Sequence, residues 1–96
     1  MYYNEFKHIK FFYQDHLLTS IHSKTNERNE IIDRSTDFIY DEERLKDVLV
    51  FEQENKVKRF GMVYGPEGLL KNIVIRNFRE KNVEIFTFDY EFYSSN

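Results

Sequence analysis

The chain has no cysteine, no alanine and no tryptophan, and its 96 residues include one proline and three glycines. The lack of cysteine excludes a disulfide scaffold, a thiolate metal site and a cysteine nucleophile. No apolar run approaches the roughly 18 residues that a membrane-spanning helix needs. The first residues show no basic segment followed by an apolar stretch, so no secretory signal is indicated. We therefore expect a cytoplasmic protein without membrane contact.

Large side chains take the place of the missing small ones. Ten phenylalanines and seven tyrosines must supply much of any hydrophobic core. A chain of this length is expected to form one domain, residues 1–96, that buries about 65% of its unfolded surface. The composition is typical of an AT-rich genome, such as that of a low-GC bacterium or its phage.

Charge is arranged in blocks along the chain. Residues 27–54, the acidic segment, hold ten acidic and four basic side chains, and residues 55–81, the basic segment, hold seven basic and two acidic ones. The formal net charge of −3 hides this asymmetry. Opposite charge blocks bear on partners rather than on the fold. Both partner hypotheses below lose support if the two segments neutralise each other in space.

The N-terminal part has the period of two that is typical of strands. Residues 6–13 and 17–23 alternate, and the three residues 14–16 between them predict a hairpin loop. This pairing sets Ile9 opposite Ile21 and His8 opposite His22. Residues 30–34 are predicted to form a short third strand, although residues 31–39 also fit one face of a helix.

Helical spacing is the dominant signal in the acidic segment. Asp41 is a good N-cap, and Leu45, Val48 and Leu49 fall on one side of a helix that runs to about Glu54. A second helix is predicted from Pro66 to about Asn82, between strands at residues 57–64 and 83–93. We expect these two strands to be parallel, with a right-handed crossover.

The predicted fold is therefore α+β: an N-terminal β-hairpin or meander followed by α-β-α-β, as a mixed sheet with two helices packed on it. No internal repeat is apparent in the sequence. The aromatic side chains of the last strand are expected to lie in the core; they are Phe86, Phe88, Tyr90 and Phe92.

No catalytic or cofactor motif accompanies these elements. His8 and His22 lack a third metal ligand nearby. The loop from Gly65 to Gly68 lacks the lysine-serine or spaced-glycine fingerprint of a phosphate loop. We therefore predict a protein that is not an enzyme and has no cofactor and no metal.

The leading functional hypothesis is a small protein–protein interaction factor, such as an inhibitor, immunity or anti-defence protein. It would bind a larger protein with a basic surface through an acidic face, where charge complementarity speeds association. The predicted contact residues are Asp37, Asp41, Glu42, Glu43 and Asp47.

Two alternatives belong to other classes. A nucleic-acid or nucleotide-binding regulator would use basic side chains to contact phosphates; these are Lys58, Arg59, Lys71, Arg76 and Arg79. A self-associating module without a ligand would form a homodimer through the C-terminal strand, if that strand lies at the edge of the sheet.

Overall fold

Seven antiparallel strands form one sheet in the computed structural model, which describes residues 7–94. Neighbours in the sheet are neighbours in sequence. The strands are β1 (Lys7–Gln14), β2 (Leu17–Glu27), β3 (Glu30–Asp41), β4 (Arg44–Glu52), β5 (Asn55–Tyr64), β6 (Leu70–Asn77) and β7 (Asn82–Thr87). The predicted α+β fold is wrong, because residues 7–94 contain no helix and no parallel strand pair.

The first predicted helix is a β-hairpin. Residues 48–51 of β4 read Val-Leu-Val-Phe, and β-branched and aromatic residues favour strands. Because apolar side chains occupy both faces of this strand, the period of two is hidden and a helical spacing appears instead. Glu42, which would start the helix, has φ 59° and lies in the turn between β3 and β4. The acidic first turn is therefore a hairpin tip.

The second predicted helix is a loop followed by β6. Three consecutive β-branched residues, Ile73, Val74 and Ile75, are stiff at χ1 and fit a strand better than a helix. The loop before them is held by a hydrogen bond of 2.8 Å from the Gly65 amide to the Leu69 carbonyl oxygen. No crossover exists in the described chain, because β5 and β6 pair antiparallel.

Tight turns whose residues adopt the left-handed backbone conformation set the register between β2 and β3 and between β4 and β5. Both central residues have positive φ in the turn of Arg28 and Asn29 and in that of Gln53 and Glu54, as in type I′ turns, whose twist matches that of the strands. The Gln53 side chain also donates to the Ile31 carbonyl oxygen at 3.1 Å. Asn29 suits such a position, whereas Arg28, Gln53 and Glu54 occupy positions where glycine and asparagine are preferred.

The N-terminal hairpin is present with a different register. Its turn contains two residues, and a bulge between Phe12 and Tyr13 shifts the pairing. Ile9 therefore lies opposite Ser23 rather than Ile21. The third strand is longer than predicted, since β3 covers residues 30–41.

The sheet is a single layer. None of the described apolar side chains is buried, whereas a domain ordinarily encloses its core between two layers. The chain exposes 8074 Å², against about 5,900 Å² for a folded monomer of its mass. Its Cα radius of gyration is 17.7 Å, against about 12.5 Å for a compact chain of this length. The expected aromatic core is wrong: Phe86 is 49% and Phe92 78% exposed.

A tyrosine recurs at one rim of the sheet, 24 to 27 residues apart, at positions 13, 40, 64 and 90. The hydroxyl groups of the last three donate to leucine carbonyl oxygens of the preceding hairpin: Tyr40 to Leu18 at 2.8 Å, Tyr64 to Leu45 at 2.6 Å and Tyr90 to Leu70 at 2.7 Å. Bulges directly precede Tyr40, near the end of β3, and Tyr64, at the end of β5. The chain therefore contains a repeated hairpin unit that the sequence analysis missed.

Candidate interaction surface

One face of the sheet carries a continuous band of apolar side chains. Strand register and alternation place them in adjacent cross-strand rows, such as the row that joins Phe38, Val48, Phe60 and Ile75. We call this surface the apolar face; its members are Phe11, Ile21, Phe38, Val48, Val50, Phe60, Met62, Ile73, Ile75 and Phe86. Most are half-buried by their neighbours, while Phe11 and Phe86 are exposed.

The opposite surface, the charged face, mixes apolar and ionisable side chains. Asp47 is 7% exposed, and its Oδ1 accepts from Arg59 Nε at 3.2 Å and lies 3.1 Å from Arg59 Nη2. Arg76 lies directly opposite Arg59 on β6, so Asp47 also offsets a like-charge pair. Asp37 accepts a hydrogen bond from the Ser20 hydroxyl at 2.9 Å.

A chain of ion pairs runs along the rim opposite the repeated tyrosines. Arg34 Nη1 lies 3.6 Å from Glu27 Oε1, and Arg34 Nε lies 3.8 Å from Glu52 Oε2. The same Glu52 oxygen is 3.6 Å from Arg79 Nη1. The pairs of Asp47 with Arg59 and of Glu52 with Arg79 join the acidic segment to the basic one. The two segments therefore partly neutralise each other, which weakens both charge-based hypotheses.

The structure divides the predicted acidic contact residues into two groups. Asp37 and Asp47 lie on the charged face, in the contacts described above. Asp41, Glu42 and Glu43 are exposed at the turn between β3 and β4, which we call the hairpin tip. Glu43 Oε1 lies 3.6 Å from the Nε2 atom of His16, which belongs to the turn between β1 and β2.

The predicted basic residues are more widely scattered. Arg59 and Arg76 face each other on the charged face, but Lys58 belongs to the opposite surface, as the alternation along β5 requires. Lys71 lies near the start of β6, and Arg79 lies beyond its end in the ion pair with Glu52. These side chains do not form one continuous stripe that could follow a phosphate backbone.

The histidines do not converge. The strand partner of His8 is Lys24, and that of His22 is Lys10. The His22 ring packs instead against Phe12, with ring centroids 4.6 Å apart. Residues 7–94 contain no group of three or more acidic, histidine or cysteine side chains that could hold a metal ion.

The aromatic tail folds back beside the loop between β5 and β6. The Phe88 amide donates to the Lys71 carbonyl oxygen at 2.9 Å, so the chain continues along β6 after β7 ends. Tyr90 and Phe92 stack with ring centroids 6.5 Å apart. Tyr93 donates to Glu91 Oε2 at 2.6 Å. This hydrogen bond to the neutral phenol, with a smaller effect of burial, raises the pKa of Tyr93 above its ordinary value.

The apolar face is the feature that the sequence analysis did not identify. In β4 and β6, apolar residues on both surfaces interrupt the strict alternation that marks a strand with one covered face. Two signals point to the sheet that carries it: the β-branched residues at 73–75 and the recurrence of tyrosine every 24 to 27 residues.

Comparison of the chain with protein-family models, with curated proteins and with solved structures finds no match. Among the described residues, no helix has the length and apolar character to cross a membrane.

Proposed function

We propose that this chain is a protein-interaction module whose open sheet supplies the contact surface. The single observation that carries the proposal is the uncovered sheet, with no buried apolar side chain among residues 7–94. Contiguous exposed apolar surface on a soluble chain is typical of a protein contact. A partner that covers this surface would supply the second layer that a sheet ordinarily has.

Charge on the rims supports a role in orientation rather than in affinity. The hairpin tip carries Asp41, Glu42 and Glu43 on exposed backbone, where carboxylates attract basic groups over about 8 Å at physiological ionic strength. A partner with basic side chains beside its apolar contact would therefore associate faster. We retain a cytoplasmic setting as part of the proposal, on the basis of the absent cysteines.

Nucleic-acid binding is the weaker alternative. Of the five basic side chains that would contact phosphates, Arg59 is paired with Asp47 and Arg79 with Glu52. Binding that depends on phosphates would have to break these pairs or rely on the three separated residues Lys58, Lys71 and Arg76. Neither route favours the several simultaneous phosphate contacts on which such affinity rests.

Site-specific photo-crosslinking in the protein's own cells tests the proposal. The photoreactive residue p-benzoylphenylalanine replaces Phe60 of the apolar face in one variant and Phe51 of the charged face in a matched control. Both native rings are half-buried on neighbouring strands. We expect protein adducts at position 60 that exceed those at position 51 and survive nuclease treatment. An absence of adducts at position 60, or adducts that nuclease removes, would contradict a protein-interaction role.

A further inference from the structure

We infer that the apolar face is covered by a second copy of this chain, packed face to face about a two-fold axis. The inference rests on the proposed function and names the partner. The resulting dimer would be a two-layer sandwich in which Val48 and Phe60 of each copy lie between the sheets. Face-to-face sheets pack about 10 Å apart with interdigitated side chains.

The exposed area matches what a stable dimer needs. The chain exposes 8074 Å², roughly 2,000 Å² more than a compact monomer of its mass. If the two faces share this excess equally, each contributes about 1,000 Å², whereas a standard interface buries about 800 Å² per partner. One face therefore offers enough area for a specific dimer. A second copy would cover it with a sheet of the same dimensions.

The apolar face can pack against the same face of a second copy without burying many unpaired charges. In the cross-strand row of Phe38, Val48, Phe60 and Ile75, the ionisable member is Glu84, at the edge strand β7. The adjacent row of Met62, Ile73 and Phe86 has none. The row that contains Val50 holds Lys58, which is exposed and whose flexible stem can carry its ammonium group out of the contact. A two-fold interface uses the same patch on both copies, so a patch whose central side chains are apolar is self-complementary.

The charged face is a poor candidate for the same contact. Its rows across β3, β4 and β5 each contain an ionisable side chain: Lys56 opposite Phe51, Arg59 opposite Leu49, and Asp47 opposite Ile39. Two such faces in contact would desolvate Arg59 and Arg76 of both copies, and a buried charge without a partner is costly.

Edge pairing through β7 would cover less of the exposed apolar surface than face-to-face packing does. The strand does lie at the sheet edge, as the C-terminal homodimer hypothesis requires, and its six residues are all exposed. A continuous sheet across two β7 strands would add backbone hydrogen bonds. It would still leave Phe38, Val48 and Phe60 uncovered, so the face-to-face arrangement accounts for more of the structure.

Two measurements on the purified 96-residue chain test the inference. Light scattering coupled to size-exclusion chromatography, over a concentration series, should give twice the 11.8 kDa mass of the chain. A mixture of isotope-labelled and unlabelled chains should give intermolecular NOEs between methyl and aromatic groups of the apolar face, including Val48 and Phe60. Intermolecular NOEs confined to β7 would overturn the face-to-face arrangement and favour edge pairing.

Neighbouring residues of β4 provide matched variants. Val48 and Leu49 are both half-buried, but they lie on opposite faces. Val48→Glu would place a charge in the dimer interface and should raise the dimer dissociation constant about 100-fold or more. Leu49→Glu would lie between Asp37 and Arg59 on the charged face. Its attraction to Arg59 offsets its repulsion from Asp37, so the dissociation constant should stay within about threefold of the wild type.

The outcomes separate this inference from the proposed function. A wild-type chain that stays monomeric throughout the concentration series overturns the dimer. The same holds if Leu49→Glu dissociates the dimer as strongly as Val48→Glu. If the monomer still forms crosslinks through position 60 with a different protein, the interaction role stands and the second copy is wrong. If Val48→Glu fails to fold, the NOE pattern of the wild type decides.

Discussion

The phenolic hydroxyl of Tyr40 donates a hydrogen bond of 2.8 Å to the carbonyl oxygen of Leu18, and so ties the second hairpin to the first. Tyr64 and Tyr90 make the equivalent bond to Leu45 and Leu70 one and two hairpins further along. These bonds join neighbouring units in a sheet that lacks a covered core. Such a chain resembles a stack in which each unit contacts only its neighbours.

Replacement of Tyr40 by phenylalanine removes one such tie while it keeps the ring. We expect Tyr40→Phe to lower the free energy of unfolding by about 1 kcal/mol, the net value of a typical intramolecular hydrogen bond. Urea unfolding followed by circular dichroism measures the change at a fixed protein concentration.

Tyr13 provides the matched control for this change. It occupies the first described position of the tyrosine repeat, in β1, and is 63% exposed. Tyr13→Phe should leave the unfolding free energy within about 0.5 kcal/mol of the wild type. Equal losses in the two variants would show that the hydroxyl bond of Tyr40 does not stabilise the stack.

Asp47 should contribute more to stability than the other predicted acidic contacts. Its carboxylate is nearly buried and holds Arg59 beside Arg76. We expect Asp47→Asn to destabilise the chain by about 1–2 kcal/mol, because it weakens the bond to Arg59 and leaves two guanidinium groups side by side. Asp41→Asn at the hairpin tip should change stability by less than about 0.5 kcal/mol.

A double-mutant cycle separates the pair from its surroundings. If Asp47 acts through Arg59, Asp47→Asn should cost much less in an Arg59→Gln background than in the wild type. Full additivity of the two changes would mean that Asp47 stabilises the sheet by some other contact. A charge reversal at Asp47 is for this reason a poor probe of partner binding, whereas Asp41, Glu42 and Glu43 can be changed without breaking a buried pair.

The sequence predicts the strands of this fold where apolar and polar side chains alternate strictly along the chain. The predicted strands at 6–13, 17–23 and 57–64 overlap β1, β2 and β5. The predictions fail at β4 and β6, where Val48 and Leu49, or Ile73 and Val74, put apolar groups on both faces. Periodicity cannot distinguish such a run from a buried helix, and the β-branched residues are the better guide.

The site was harder to predict than the strands, because it depends on how strands assemble. The acidic segment predicts an acidic surface, but pairing of β4 with β5 brings Asp47 to Arg59 and withdraws it from that surface. The apolar face exists because no other part of residues 7–94 covers it. A composition that is rich in phenylalanine predicts a large apolar surface, but it does not predict that the chain leaves this surface uncovered by its own strands.

Tyr93 should titrate above the ordinary range of tyrosine, about pH 10. Its hydrogen bond to Glu91 requires the protonated phenol, so the pKa of Tyr93 is raised. The contact is present below the unfolded-state pKa and is lost as the pH rises through the folded-state value. The chemical shift of the Tyr93 Cζ atom, followed by NMR against pH, reports this pKa.

Charge removal at one of two carboxylates provides the control. Glu91→Gln should lower the pKa of Tyr93 toward its ordinary value, because the neighbouring carboxylate no longer opposes ionisation. Glu80→Gln, in the turn between β6 and β7, should leave the Tyr93 pKa unchanged. The contact is refuted if both variants shift the titration equally.

The hairpin tip offers a direct test of backbone strain with two adjacent glutamates. Glu42 has φ 59°, in the left-handed region that favours glycine, whereas Glu43 is not among the positive-φ residues. Glu42→Gly should raise the free energy of unfolding by about 0.5–1 kcal/mol, because the left-handed penalty of a residue with a Cβ is relieved. Glu43→Gly should lower it by about 0.5–1 kcal/mol, since the unfolded chain gains conformational freedom without any relief in the folded one. Both variants remove one carboxylate from the same turn, and the contact of Glu43 with His16 is fully at the surface and contributes little. Opposite signs in urea unfolding therefore identify φ as the cause. Equal shifts of one sign would attribute the effect to charge instead.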